Sequence, residues 1–142
     1  MGETVTVLLV EDNEVDIEAV QRAFQQQRIA NPIRVARNGV EALELLRKPA
    51  PAGIARPFLI LLDLNLPRMD GHEFLAELRA DPRLQDSIVF VLTTSKSDED
   101  KIKSYDLHVA GYLVKSQVGP GFLNLVDLLD RYWRIVEFPP VH

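Results

Sequence analysis

At 142 residues, with 46% hydrophobic and 26% charged residues, the chain has the composition of one globular domain with a real core, not of a disordered polymer. A formal net charge of -5 offers no basic field to hold nucleic-acid phosphates, which argues against direct DNA binding. With no cysteine there is no disulfide framework, no thiolate zinc site and no thiol nucleophile.

The first apolar run, Val5 to Val10, stops after six residues and lacks a basic flank, so it is too short for a signal peptide or a membrane span. It predicts a strand, and with it a soluble, cytoplasmic protein. The run ends in Glu11-Asp12-Asn13, where Asp12 or Asn13 suits the cap of a helix carrying Ile17, Val20 and Phe24 at helical spacing. A second strand, Ile33 to Ala36, precedes a helix with Val40, Leu43 and Leu46 or Arg47. A Pro/Ala/Gly loop, Lys48 to Pro57, then leads into the third strand, Leu59 to Leu62. That strand ends on Asp63. The helix opening at Gly71 already has a cap on offer in Asp70, so Asp63 needs another reason. Phe74, Leu75 and Leu78 mark this third helix. The fourth strand, Ile88 to Leu92, ends in Thr93-Thr94-Ser95, a hydroxyl-rich turn before a helix that starts near Ser97 or Asp98 and carries Ile102 and Tyr105. The fifth, Tyr112 to Val114, ends in Lys115-Ser116, and a last helix runs from about Pro120 to Glu137.

Strand and helix alternate, and the three longest strands are apolar nearly throughout, as expected for strands covered on both faces of a parallel sheet. The pattern predicts a single α/β doubly wound domain over residues 1–142, with a core of about 5–136. In such sheets ligands sit beyond the carboxyl ends of the strands. Taken singly, those ends have plain explanations: a helix cap, a turn, a solvated lysine. Taken together they place Glu11, Asp12 and Asp63 on one rim with Thr93 and Lys115. Two like charges about 4 Å apart repel by about 4 kcal/mol at an effective dielectric near 20, which a capping role would not offset. A hard divalent cation relieves that repulsion, and oxygen-only donors suit Mg²⁺. Asp12, Asp63 and the backbone carbonyl of Asn65 are the expected ligands, with Glu11 acting through a metal-bound water. A carboxylate beside Mg²⁺ can attack phosphorus, which makes Asp63 a phosphoacceptor, Lys115 a counter-charge and Thr93 a hydrogen-bond donor.

In combination, the acidic pair Glu11-Asp12, the block DLNLPRMDG from Asp63 to Gly71, the hydroxyl of Thr93, and Gly111-Tyr112 before Lys115 resemble the response-regulator receiver domain, over Val5 to about Val136. The resemblance implies a flavodoxin-like (βα)5 fold with a five-stranded parallel sheet of order 2-1-3-4-5. It also implies phosphorylation of Asp63 by a histidine kinase or a phosphotransfer protein. Thr93 would then turn towards the phosphoryl group, and Tyr112 would follow it, remodelling the surface of helix four, strand five and helix five. Two positions depart from the family pattern: Glu11 stands where many members have Asp, and Ser116 where most have a proline in a cis bond. Glu11, the long Pro/Ala loop, Thr93-Thr94-Ser95, Lys115-Ser116 and the aromatic C-terminus resemble the stand-alone regulators paired with bacterial and cyanobacterial phytochrome histidine kinases.

The last helix and the tail, residues 137–142, carry more apolar side chains than one buried stripe requires. Phe122, Val126, Leu129 and Trp133 or Val136 can face the sheet, which leaves Leu128, Tyr132, Ile135 and Phe138 with little to cover them. Either the tail folds back over its own body or these residues, with Trp133, form a partner surface. The resemblance favours a homodimer through helix four, strand five and helix five. The leading expectation is thus a phosphorylation-controlled binding module that turns over no outside substrate. One alternative is an aspartyl-phosphate phosphatase of the haloacid dehalogenase type, against which stands Asn65, at the position where that family is expected to carry a second acid. Another is a receiver-like interaction module that works without phosphorylation, against which stands the full set of chemical residues.

Overall fold

The computed structural model describes residues 4–140. The ends of the expected 1–142 domain, including the last two residues of the expected tail, lie outside the described residues.

Five strands form one parallel sheet: β1 (Thr6–Val10), β2 (Ile33–Ala36), β3 (Phe58–Leu62), β4 (Ile88–Thr93) and β5 (Gly111–Val114), in the order β2-β1-β3-β4-β5. Every residue of β1 and β3 is buried, whereas most positions of the edge strands β2 and β5 are half-buried. Burial on both faces explains why the central strands lack polar alternation. Val7, Leu9, Leu59 and Leu61 point to one face, where they meet α1 (Glu14–Gln26) and α5 (Leu123–Ile135). Leu8, Val10, Ile60 and Leu62 point to the other, under α2 (Gly39–Arg47) and α3 (Gly71–Ala80), with α4 (Asp98–Asp106) beside α3.

The helix starts follow side-chain chemistry. Asn13, not Asp12, caps α1 by accepting from Asp16 N at 3.1 Å, which leaves the Asp12 carboxylate outside the cap. Asp70 caps α3 in a reciprocal box with Glu73, and Ser97 caps α4 by accepting from Asp100 N. Each of these bonds satisfies one of the N–H groups that a helix start leaves without a partner.

Two elements differ from their sequence pattern. Ile102 and Tyr105, the helically spaced pair that marks α4 in the sequence, are 62% and 52% exposed, and the buried residue of this helix is Ser104. Residues 102 and 105 share a stripe with each other, and the tertiary contacts turn that stripe outward. The last helix is also shorter than its apolar pattern. A 3-10 turn at Pro120–Phe122 precedes it, Gly121 and Phe122 adopt left-handed φ values of 59° and 63°, and the chain leaves helical geometry at Val136. The tail then folds back. Tyr132 stands edge-on to Phe90 with centroids 5.0 Å apart and to Phe138 at 6.3 Å, while Trp133 packs against Phe24 at 6.1 Å. Of the side chains expected to lack cover, Tyr132 and Phe138 therefore shield each other, whereas Leu128 (39%) and Ile135 (80%) remain exposed.

Gly71 fixes the loop that follows β3. Its N–H donates to the Leu64 carbonyl at 2.9 Å, and a Cβ there would lie 2.6 Å from Leu64 Cα and 2.8 Å from the Asp63 carbonyl oxygen. Both obstacles are backbone, which cannot rotate away. Gly71→Ala should therefore lower stability by about 1–3 kcal/mol, read as a lower urea midpoint at unchanged slope. An unchanged midpoint would show that the loop carrying Asp63 yields without strain.

Candidate functional site

Parallel pairing decides which side chains meet. Val10 lies opposite Leu62 and Asp63 N donates to the Val10 carbonyl at 3.0 Å, so Glu11 and Asp63 leave adjacent strands at the same level. On the other side Thr93 lies opposite Val114, which puts Lys115 one residue beyond β5 on the same rim. The sheet thus gathers all the residues expected to carry chemistry at one end.

Lys115 Nζ donates to Glu11 Oε1 at 2.6 Å, Asp16 Oδ2 at 2.7 Å and Asp63 Oδ2 at 3.1 Å. An ammonium has three N–H donors, and here each has a carboxylate partner. Glu11 Oε2 accepts from Asn13 N at 3.2 Å, and Asp63 Oδ1 accepts from Asn65 N at 3.2 Å. Glu11 and Asp63 are buried, Asp12 and Asn65 exposed. The cluster therefore opens to solvent on the Asp12 side.

The electrostatics follow from that burial. Loss of solvent pushes the Glu11 carboxyl from its usual 4.5 up to about 7; hydrogen bonding to Lys115 works against this rise and the charge of Asp63 adds to it. Burial alone would lower the Lys115 ammonium. Its hydrogen bonds to Asp16 and Glu11 and the charge of Asp63 outweigh that, and raise it above its ordinary value. One carboxylate oxygen from each of Glu11, Asp12 and Asp63 lies within 4.8 Å of the others. An oxygen-only set of three carboxylates, two of them bonded to a single lysine, has the donor chemistry of a divalent-cation site.

Thr93 is fully buried at the end of β4, and its Oγ1 accepts from Ser95 N at 3.5 Å. The half-buried Tyr112 donates its hydroxyl to the Ser95 carbonyl at 2.9 Å. Burial raises the tyrosine hydroxyl's pKa, the Ser95 bond opposes that, and the charges of Asp100 and Asp63 add to it. Ser95 Oγ in turn donates to Asp100 Oδ2 on α4 at 2.5 Å. Lys115 opens a 3-10 turn, Lys115–Gln117. Cis peptides among the described residues occur at Ala50-Pro51 and Arg56-Pro57, so the Lys115-Ser116 bond is trans.

Two participants were missed from sequence: Asp16, and the pair formed by Ser95 and Asp100. Asp16 carried a readable signal, since it lies in the first turn of a helix whose cap, Asn13, sits on the rim itself. A concavity of about 600 Å³ lies elsewhere. It is lined by Val5, Phe58, Ile88, Trp133 and Phe138, at the amino ends of the strands, and is a product of the folded-back tail.

Residues 7–125 match the response regulator receiver domain. The chain is 40% identical over 128 residues to response regulator Rcp1 of Synechocystis sp., covering 89% of this chain and 87% of that protein. It is 39% identical over 127 residues to the probable methanogenesis regulatory protein FilR2 of Methanothrix harundinacea, covering 89% and 82%. Among solved structures it resembles the phosphorylated cyanobacterial phytochrome response regulator RcpA, with a TM-score of 0.84 at 38% identity over 97% of this chain and 100% of that one. The Mn²⁺-bound form of Rcp1 gives a TM-score of 0.81 at 38% identity over 96% and 99%. With the strand order, the acidic rim and these relatives in agreement, the chain belongs to the response regulator receiver domain family and is a homologue of the phytochrome response regulators.

Proposed function

We propose that this chain is a single-domain response regulator that takes a phosphoryl group on Asp63 from a phytochrome-type histidine kinase in a Mg²⁺-dependent reaction. The observation that carries the reading is Asp63 itself. A fully buried strand delivers its carboxylate to a solvent-open rim, one oxygen held by Lys115 and the other by Asn65 N.

Asp12, Asp63 and the Asn65 backbone carbonyl would hold Mg²⁺, with Glu11 acting through a bound water. When bound, the metal supplies positive charge against the carboxylates and the incoming phosphoryl oxygens. In the transfer a bond forms between an Asp63 oxygen and phosphorus as the bond from phosphorus to the kinase histidine nitrogen breaks. Lys115 follows the charge from the carboxylate to a phosphoryl oxygen, and Thr93 turns its hydroxyl towards the same group. Tyr112 moves with it. No outside substrate is turned over, since the chain acts on its own carboxylate. A cytoplasmic location suits a kinase partner, and among the described residues no helix is long and apolar enough to cross a membrane.

The output is a changed protein contact, read here as a homodimer through α4, β5, α5 and the tail. The exposed Ile102, Tyr105, Leu128 and Ile135 support that surface. Tyr132, Trp133 and Phe138 would form its floor, since they are engaged within the chain.

Incubation with acetyl phosphate and Mg²⁺ should add one phosphoryl mass to the intact wild type and none to Asp63→Asn. A wild type that gains nothing, from acetyl phosphate or from a cognate kinase, removes the central claim.

The raised Glu11 carboxyl sets a pH dependence in metal-free protein. Its proton is held more tightly in the folded chain (about 7) than at the ordinary 4.5, so stability falls as pH rises across that window. Lys115 is charged in both states there and cancels. Urea unfolding should give a loss on the order of 3 kcal/mol between about pH 5 and pH 8, which Glu11→Gln flattens. Mg²⁺ should stabilise more at the higher pH, where it no longer competes with that proton. Equal stability at the two pH values would show that Glu11 is not the group at issue.

Light scattering at tens of micromolar should report twice the chain mass, shifted towards one chain by Leu128→Asp with Ile135→Asp. A wild-type monomer with and without a phosphoryl mimic rules the dimer out.

A further inference from the structure

Lys115 Nζ has three acidic partners, and they are not equivalent. Glu11 and Asp63 belong to the carboxylate cluster suited to a divalent cation, whereas Asp16 stands outside it. With a cation and a phosphoryl group on the rim, Glu11 would serve the metal and Asp63 would no longer be a free carboxylate. Asp16 is then the one partner of Lys115 with no competing claim on it.

The Asp16 carboxylate is also fixed in place. Its backbone N–H is held by the Asn13 cap at 3.1 Å, so the first turn of α1 is locked to the strand end that bears Glu11 and Asp12. Its side chain is 24% exposed, enough shielding to give direction to the 2.7 Å bond it accepts from Lys115. A lysine carries its charge on a flexible four-carbon stem and needs such an anchor to hold one position.

We propose that Asp16 is a positioning residue, whose carboxylate holds the Lys115 ammonium where it can move from Asp63 to a phosphoryl oxygen. The proposal rests on Asp63 being the phosphoacceptor. A rival account makes Asp16 a first-turn acid that merely favours the amino end of α1, which needs a negative charge there but no bond to Lys115. A second effect opposes the proposal outright: removing a carboxylate from an acidic rim eases the approach of an anionic phosphodonor. The sign of the rate change therefore separates the accounts.

The test uses the full chain with Asp16→Ala and Asp16→Asn, and Asp16→Leu should the alanine variant fail to fold. The readouts are the rate of phosphoryl uptake from acetyl phosphate with Mg²⁺ and the NMR signal of the Lys115 ammonium, identified by its loss in Lys115→Arg. Asp16→Ala should slow uptake about tenfold and broaden the Lys115 signal by exposing it to water exchange. Asp16→Asn, which keeps an oxygen acceptor without the charge, should recover part of both. Retention of either the rate or the signal in Asp16→Ala overturns the proposal, as does an Asp16→Asn chain no better than alanine or faster than wild type. Failure of the wild type to take up a phosphoryl group would strike the Asp63 reading instead, and the Lys115 signal would still decide whether Asp16 holds the ammonium.

Discussion

A single ammonium, Lys115 Nζ, stands within 3.1 Å of three carboxylates, and the site is organised around that imbalance of charge. Lys115 cannot neutralise Glu11, Asp16, Asp63 and the nearby Asp12 together. Burial, with the charge of Asp63 added, pushes the Glu11 carboxyl up to about 7 against the opposing bond to Lys115. A site left short of positive charge in this way favours a divalent cation, and a cation in turn allows a phosphoryl group to approach a carboxylate that would otherwise repel it. The rim therefore carries an electrostatic deficit that its one lysine does not fill.

Such a deficit needs a frame that does not relax. A set of repelling carboxylates on mobile loops would spread apart, but here the central strands are buried at every position and the Asp63 N–H is bonded to the Val10 carbonyl at 3.0 Å. The chain after Asp63 is clamped by Gly71, whose missing side chain lets α3 start against the Leu64 backbone. Asn13 takes the capping role on α1 and leaves Asp12 outside it. Each device is ordinary fold chemistry, and each removes one way for the charges to separate.

The sheet and the rim were legible in the sequence because burial on both faces writes an uninterrupted apolar run, and the residue that ends the run is conspicuous. Asp63 after Leu62 and Lys115 after Val114 are such residues, and register alone brings them together. Asp16 was less legible. An acid in a first helical turn is what the helix itself favours, so nothing in its spacing demands a lysine a hundred residues later. The apolar residues of α4 marked the helix but not the direction of its face. Ile102 and Tyr105 have helical spacing, but a spacing fixes only that two residues share a face, not which way the face points. The aromatic tail left both outcomes open, and the pairing of Tyr132 with Phe90 and Phe138 is a tertiary event that composition does not encode.

The outward face of α4 also bears on how a change at Asp63 reaches the surface. With Ser104 as its buried residue, α4 has little apolar anchorage, and polar contacts tie it to its neighbours instead: His72 Nε2 beside Ser104 Oγ at 3.1 Å, and Ser95 Oγ to Asp100 Oδ2 at 2.5 Å. Ser95 is the junction. Its N–H reaches Thr93 Oγ1 at 3.5 Å, its carbonyl receives the Tyr112 hydroxyl at 2.9 Å, and its side chain grips α4. The contact to Thr93 is the longest of the three and so the least costly to give up. On the proposed reading, a Thr93 hydroxyl turning towards a phosphoryl group would give up this contact and loosen the residue that ties both Tyr112 and α4 in place. A helix attached by apolar burial would hardly register that loss, whereas one attached by a few directional hydrogen bonds is free to shift.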